Sequence, residues 1–150
     1  MLADCEAAGQ TIDLEQYLFV HDRLGRQFAE VLMRKAREGV RVRVLLDSGG
    51  SFGVFMSGLP AELQRAGVQI LFFNPISPWR VHNILSWYFR DHRKIIVVDG
   101  KIGHVGGVCV EDIMADWRDT HLKIEDPVVG EMAEAFERMW RYVALEGKRR

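Results

Sequence analysis

His92-Arg93-Lys94-Ile95-Ile96-Val97-Val98-Asp99-Gly100-Lys101-Ile102-Gly103-His104-Val105-Gly106-Gly107 is the stretch on which the reading of the fold turns. Ile95–Val98 is an unbroken β-branched run, and Ile102–Val105 forms the neighbouring strand candidate. Asp99-Gly100 between them is the strongest hairpin signal in the chain, because a tight primed turn needs positive φ at both central residues. Upstream, strands alternate with helices instead. Thr11–His21 reads as a strand with partial alternation, through Ile12, Leu14, Tyr17 and Phe19. Asp22 offers an N-cap, and Leu24, Phe28, Val31, Leu32 and Ala36 recur at helical spacing until Gly39 closes the helix. Val40–Asp47 is a strand, Ser48–Gly53 a flexible loop, Ala61–Ala66 a helix ended by Gly67, and Val68–Phe73 a further strand. Downstream, Thr120–Ile124 is the last strand. Asp126 and Pro127 then open a C-terminal helix whose apolar stripe is Val129, Met132, Phe136, Met139, Trp140 and Val143. Met1–Gly9 reads as the tail of a helix. Together these features predict an α/β fold: a mixed β-sheet flanked by helices on both faces.

Composition bounds the rest. At 150 residues the sequence fits one domain spanning 1–150, long enough to bury roughly two-thirds of its unfolded surface. Its 48% hydrophobic and 27% charged residues sit near globular averages and exclude disordered and fibrous classes. No apolar run is long enough to cross a bilayer, and no secretory signal pattern opens the sequence. Cys5 and Cys109 form no C-x-x-C pair, which fits a reducing compartment, and no two of the five histidines are spaced for zinc. The net charge of −1 gives no pull toward nucleic acid, so nucleic acid is not an expected partner. The basic cluster Arg34, Lys35, Arg37, Arg41 and Arg43 reads first as a solvated face.

Within the opening stretch, His92 and Lys94 stand two residues apart, so on a strand they point to one side. A neutral imidazole is a nucleophile, and an ammonium beside it holds a phosphoryl oxygen as a point charge. Six residues separate Asp99 from the pair Gly106-Gly107, where backbone N–H groups can approach an anion closely. Physics alone reads a phosphate-ester site here, with a surface His and Lys at a strand start as the plain alternative.

HRKIIVVDG followed by the glycine pair resembles the H-x-K-x-x-x-x-D signature of the phospholipase D superfamily. YLFVHDRLGRQFAEVLMRKAREGVRVRVLLDSGGS, FFNPISPWR ahead of RDHRK, and WRDTHLKIEDPVV before a Phe…Trp helix are similar to the corresponding parts of bacterial cardiolipin synthases. The likeness runs from Ala7 to about Tyr142 and keeps the family's order. It implies a first, N-terminal half of a two-motif enzyme, with His92 attacking phosphorus to form a phosphohistidine and Lys94 holding the phosphoryl oxygens. Asp99 completes the motif's catalytic set, although its place at the hairpin suits it to fixing local geometry. Asp119 stands where family members carry the acid that orients the nucleophilic histidine. Gly106, Gly107 and Cys109 would bind phosphate, with Cys109 in place of the usual asparagine, a weaker donor. No cofactor and no metal are implied.

The family builds each active site from two motifs, the second histidine acting as general acid. This sequence carries one complete motif, so a second half or a homodimeric copy is expected to supply the other. His121-Leu122-Lys123 has the His/Lys spacing, yet Val128 replaces the motif aspartate and no glycine pair follows. The expected activity is phosphatidyl transfer from one phosphatidylglycerol to another at a membrane surface, on the cytoplasmic, inner face of the cell membrane. The alternatives are a hydrolytic phosphodiesterase or nuclease working as a homodimer, and an inactive half that binds phosphate or membrane. Gly49-Gly50-Ser51-Phe52-Gly53 also fits a nucleophile elbow, with Asp99 and His121 following in α/β-hydrolase order, but the chain is short for that fold and Pro60 interrupts the helix that should follow. Trp79, Trp87, Tyr88 and Phe89 precede His92 as either an interfacial lip or loop-covering core.

Overall fold

A computed structural model describes residues 1–75, 88–125 and 127–148. The β-branched runs form strands and the helical stripes form helices. The elements are α1 (Leu2–Ala7), β1 (Thr11–Gln16), α2 (Arg23–Arg37), β2 (Arg41–Asp47), α3 (Phe52–Phe55), α4 (Leu59–Arg65) and β3 (Gln69–Phe73). After these come β4 (Ile95–Val98), β5 (Ile102–Gly106), a 3-10 turn over Asp112–Asp116, β6 (His121–Ile124) and α5 (Val128–Lys148). Among the described residues six strands form one sheet in the order β3-β2-β1-β4-β5-β6. β1, β2 and β3 run parallel, joined by helices, while β4, β5 and β6 are antiparallel to their neighbours. The sheet is therefore mixed, and helices cover both of its faces.

Side-chain alternation assigns the faces. Ile12, Leu14, Val42, Val44, Leu46, Ile96 and Val98 pack with Phe28, Leu32, Leu59 and Leu63 of α2 and α4. On the other face Leu45 meets Phe136 and Val143 of α5, and Ile95 and Val97 meet Val129. That face also holds a charge cluster. The Arg43 guanidinium donates to both Asp13 oxygens at 2.7 and 2.9 Å and to Glu137 of α5 at 2.6 Å, and it lies over the Phe136 and Trp140 rings. A buried arginine with its donors used this fully offsets its desolvation and ties α5 to the sheet.

Local chemistry sets the boundaries. Asp22 caps α2, its Oδ1 accepting from Gly25 N at 2.8 Å. Gly39 and Gly67 take positive φ just past the ends of α2 and α4. Asp99 and Gly100 have φ of 52° and 63°, and Lys101 N donates to Val98 O, which is the primed turn that an Asp-Gly pair specifies. Three expectations need correction. β1 ends at Gln16, not His21, so Tyr17 and Phe19 lie in a loop. The glycine-rich loop after β2 is not slack: Asp47 Oδ1 accepts from Gly49 N and Gly50 N, and α3 begins within it. Ser51 is no exposed nucleophile. It is 1% exposed, accepts from Phe19 N and donates to Tyr17 O, so the elbow reading fails. The proposed cap Asp126 and the aromatics Trp79 and Trp87 lie outside the described residues.

Candidate active site

Strand direction gathers one end of the sheet. The carboxyl ends of β1 and β2, the start of β4, the end of β5 and the start of β6 all meet there. The winding also reverses there: β2 and β3 extend the sheet to one side of β1, and β4, β5 and β6 to the other. Open α/β sheets bind ligands at such switch points.

His92 stands just before β4, exposed to solvent. Its imidazole stacks on the Tyr17 ring at 3.9 Å between centroids and 16° between planes. The Lys94 ammonium lies 5.4 Å from the same ring centroid and donates to His92 O at 2.8 Å. His92 and Lys94 thus share a side, as their spacing predicted, with Tyr17 as a common floor. Tyr17 was legible only as a strand residue. Its role depends on β1 ending one residue earlier and on Gly50, where any Cβ would strike Tyr17 O and the ring.

The backbone beneath His92 is held from the opposite side. Asp91 N donates to Asp47 Oδ2 at 2.9 Å, and the backbone N and Nε of Arg93 both donate to Asp91 Oδ1 at 3.2 Å. Residues 91 and 93 point inward, which turns 92 and 94 outward. Asp47 and Asp91 carried no signal in the sequence beyond being polar, because burial by distant segments is what makes them anchors.

Gly106 and Gly107 are required, though not for the expected reason. A Cβ on Gly107 would overlap the Asp119 carboxylate, and one on Gly106 would strike Thr120 O and His121. Gly107 N donates to Thr120 O at 3.1 Å, so this N–H belongs to the β5–β6 pairing and does not face an anion. Their smallness seats Asp119 at the site end. Cys109 is likewise turned inward. It is 2% exposed, its N–H meets Met114 Sδ, its thiol reaches Gly107 O, and burial raises its pKa. Lys94 and Asp119 both lie near enough to act electrostatically on that thiol. Asp119 is exposed, and its Oδ1 accepts from Thr120 N at 2.6 Å. Among the described residues no hydrogen bond joins Asp119 to His92.

Asp99 sits at the far end of β4. Its carboxylate accepts from Gly9, Gln10 and Thr11 backbone N–H groups at 2.7–2.8 Å, and these bonds, overruling the opposing effect of burial, hold its pKa below the usual carboxylate value. This is a structural clamp between the hairpin and the start of β1, the geometric role that the place of Asp99 at the hairpin suggested over a chemical one. His121 does not found a second site. It stacks on His104 at 5.5 Å, while Lys123 is bound to Asp4 and Glu125. His104 in turn meets Asp4 at 2.9 Å, tying α1 to β5.

Comparisons with known proteins agree with this architecture. Residues 1–140 match the family described as cardiolipin synthase, PLD-like domain. A cardiolipin synthase of Geobacillus kaustophilus is 40% identical over 97% of this chain, and a probable cardiolipin synthase of Bacillus subtilis is 40% identical over 90%. The chain spans 30% and 28% of the length of those two relatives. Among solved structures, Nuc from Salmonella typhimurium, a phospholipase D family member, superposes with a TM-score of 0.69 at 16% identity, covering 93% of this chain and 84% of that one. NucT from Helicobacter pylori superposes at 0.70 with 14% identity, again covering 93% of this chain and 84% of the other. The fold and the sequence relatives point one way, and the chain belongs to the phospholipase D-like domain family of cardiolipin synthases.

Proposed function

We propose that this chain carries one half of a phosphatidyl-transfer site of cardiolipin-synthase type. One observation carries the reading: an exposed imidazole and an ammonium share one side of the sheet's switch point, on a common Tyr17 floor, in a chain of this family. His92 attacks the phosphorus of phosphatidylglycerol and forms a P–N bond as the P–O bond to glycerol breaks. The departing glycerol oxygen takes its proton from an acid, the role of a second motif histidine. The hydroxyl of a second phosphatidylglycerol then attacks the phosphohistidine, returns its proton to that group and frees His92. Lys94 offsets the negative charge on the phosphoryl oxygens, and Asp119 orients the imidazole once the site is complete. The second motif comes from another half of a longer protein or from a second copy. The former is supported by the 30% share of its relatives' length that the chain spans.

A membrane-surface substrate suits the loops at this end. Tyr88 is 80% exposed, Phe89 69% and Trp117 60%. No helix among the described residues is long and apolar enough to cross a membrane. The test is cardiolipin formation from phosphatidylglycerol vesicles, with His92→Ala as control. Transfer lost in the variant supports the proposal. Release of phosphatidic acid without cardiolipin would move the reading to a hydrolytic phosphodiesterase. Equal binding of anionic vesicles by both proteins with no turnover would leave an inactive half-domain.

A further inference from the structure

Directly beneath His92 lies a buried cluster that the chemistry above does not use. Glu15, at the end of β1, has no exposed surface, and Asp91 is 8% exposed. The Arg93 guanidinium contacts both, and each carboxyl acts electrostatically on the other. Arg93 Nη2 approaches Glu15 Oε1 at 2.5 Å, while its Nε holds Asp91. That approach is out of line for a hydrogen bond: as a carboxylate, Glu15 would have no aligned donor at either oxygen. Two buried carboxylates with a single arginine between them cannot both stay ionised cheaply. A proton between them satisfies both.

We propose that Glu15 and Asp91 form a proton-sharing carboxyl pair, closed by Arg93, that positions His92 and Lys94. Glu15 carries the proton and donates a hydrogen bond through it, and Asp91 accepts from Glu15 and from Arg93. Residues 91 and 93 are thereby locked inward, and 92 and 94 are set outward over Tyr17. Burial first, and then the Asp91 carboxylate, pushes Glu15 up to about 9, whereas hydrogen bonds and the Arg93 charge overrule burial and hold Asp91 below its ordinary value. The other charged groups on this face are already engaged. Asp47 takes the Asp91 N–H and has Arg90 at 3.6 Å, and Asp13 and Glu137 hold Arg43. Glu15 is a positioning residue and touches no substrate. The kinetic part of this inference rests on the proposed function.

The test uses the full chain and begins with a readout that needs no turnover. Carbon-13 titration of the Glu15 carboxyl should show a midpoint near 9 in the wild type. A midpoint in the ordinary carboxylate range overturns the pair. Ring-to-ring nuclear Overhauser contacts between Tyr17 and His92 should survive Glu15→Gln, whose amide can still donate to Asp91, and vanish in Glu15→Leu. Contacts that persist in a folded Glu15→Leu protein overturn the positioning role. On phosphatidylglycerol vesicles, Glu15→Leu should lower kcat at least tenfold with KM within twofold, and Glu15→Gln should stay within threefold of wild type. If His92→Ala matches wild type in that assay, the functional reading fails, while the titration and ring contacts still decide the pair.

Discussion

The two ends of β4 hold similar residues in opposite conditions. At the hairpin end, Asp99 is exposed enough to solvate, yet three backbone N–H groups meet it and nothing is left over. At the His92 end, Glu15 is sealed from water with no aligned donor, two other carboxylates lie nearby, and an imidazole and an ammonium face solvent. A satisfied carboxylate contributes stability. Under-satisfied groups crowded together are where folds keep chemistry, because strain and perturbed protonation there are compensated by packing elsewhere. The difference teaches where to expect a mutation to cost function and where to expect it to cost the fold.

The sharpest way to break that contrast is His92→Ala. It should abolish phosphatidyl transfer by more than about a thousandfold, as loss of a covalent nucleophile does, while the thermal midpoint moves little. An unfolded variant would mean that this end is structural too. Gly107→Ala comes next. A methyl there must displace the Asp119 carboxylate, so turnover should fall by about tenfold or more, with a smaller loss of stability than activity; Asp119→Ala measured alongside should show a similar activity loss if the displacement is the cause.

At the other end the expectation reverses. Asp99→Ala removes an acceptor from three backbone donors and puts a side chain without local hydrogen bonding at φ 52°, costing about 2 kcal/mol in denaturant unfolding. Whatever activity the folded fraction has should be retained. Loss of activity without loss of stability would contradict the clamp. The most gradual effect is with pH. Glu15 stays protonated in the fold up to about 9 but ionises near its ordinary value when unfolded, so its contribution is present in acid and lost as pH rises through the folded value. Urea unfolding between pH 7 and 9 should show stability falling with pH, by at most about 1.4 kcal/mol per unit, with a flatter slope in Glu15→Gln. A flat wild-type profile would remove the asymmetry between the two ends.

Much of this was legible beforehand because the signals were local. The Asp-Gly hairpin, the Asp22 cap, Gly39 and the apolar stripe of α5 each depend on a few neighbouring residues, and each forms where expected. The side shared by His92 and Lys94 was expected from strand alternation, but both residues precede β4, and the anchoring of Asp91 and Arg93 is what sets it. Other features were misread for the same reason. Tyr17 looked like strand because its neighbours alternate, and Gly106-Gly107 looked like an anion cradle because glycine permits close approach without saying by what.

By itself, then, the sequence determined the strands, the caps, the hairpin and the motif, and with them the family, since each is encoded in local spacing. The tertiary structure alone decided what those residues face. It turned Asp99 into a clamp, set Asp119 against Gly107, put Tyr17 under His92, and enclosed Glu15 with Asp91 and Arg93. The physical reason is that burial and partner geometry come from segments far apart in the chain. Residues 15, 47, 91 and 93 acquire their chemistry only when the sheet brings β1, β2 and the start of β4 together.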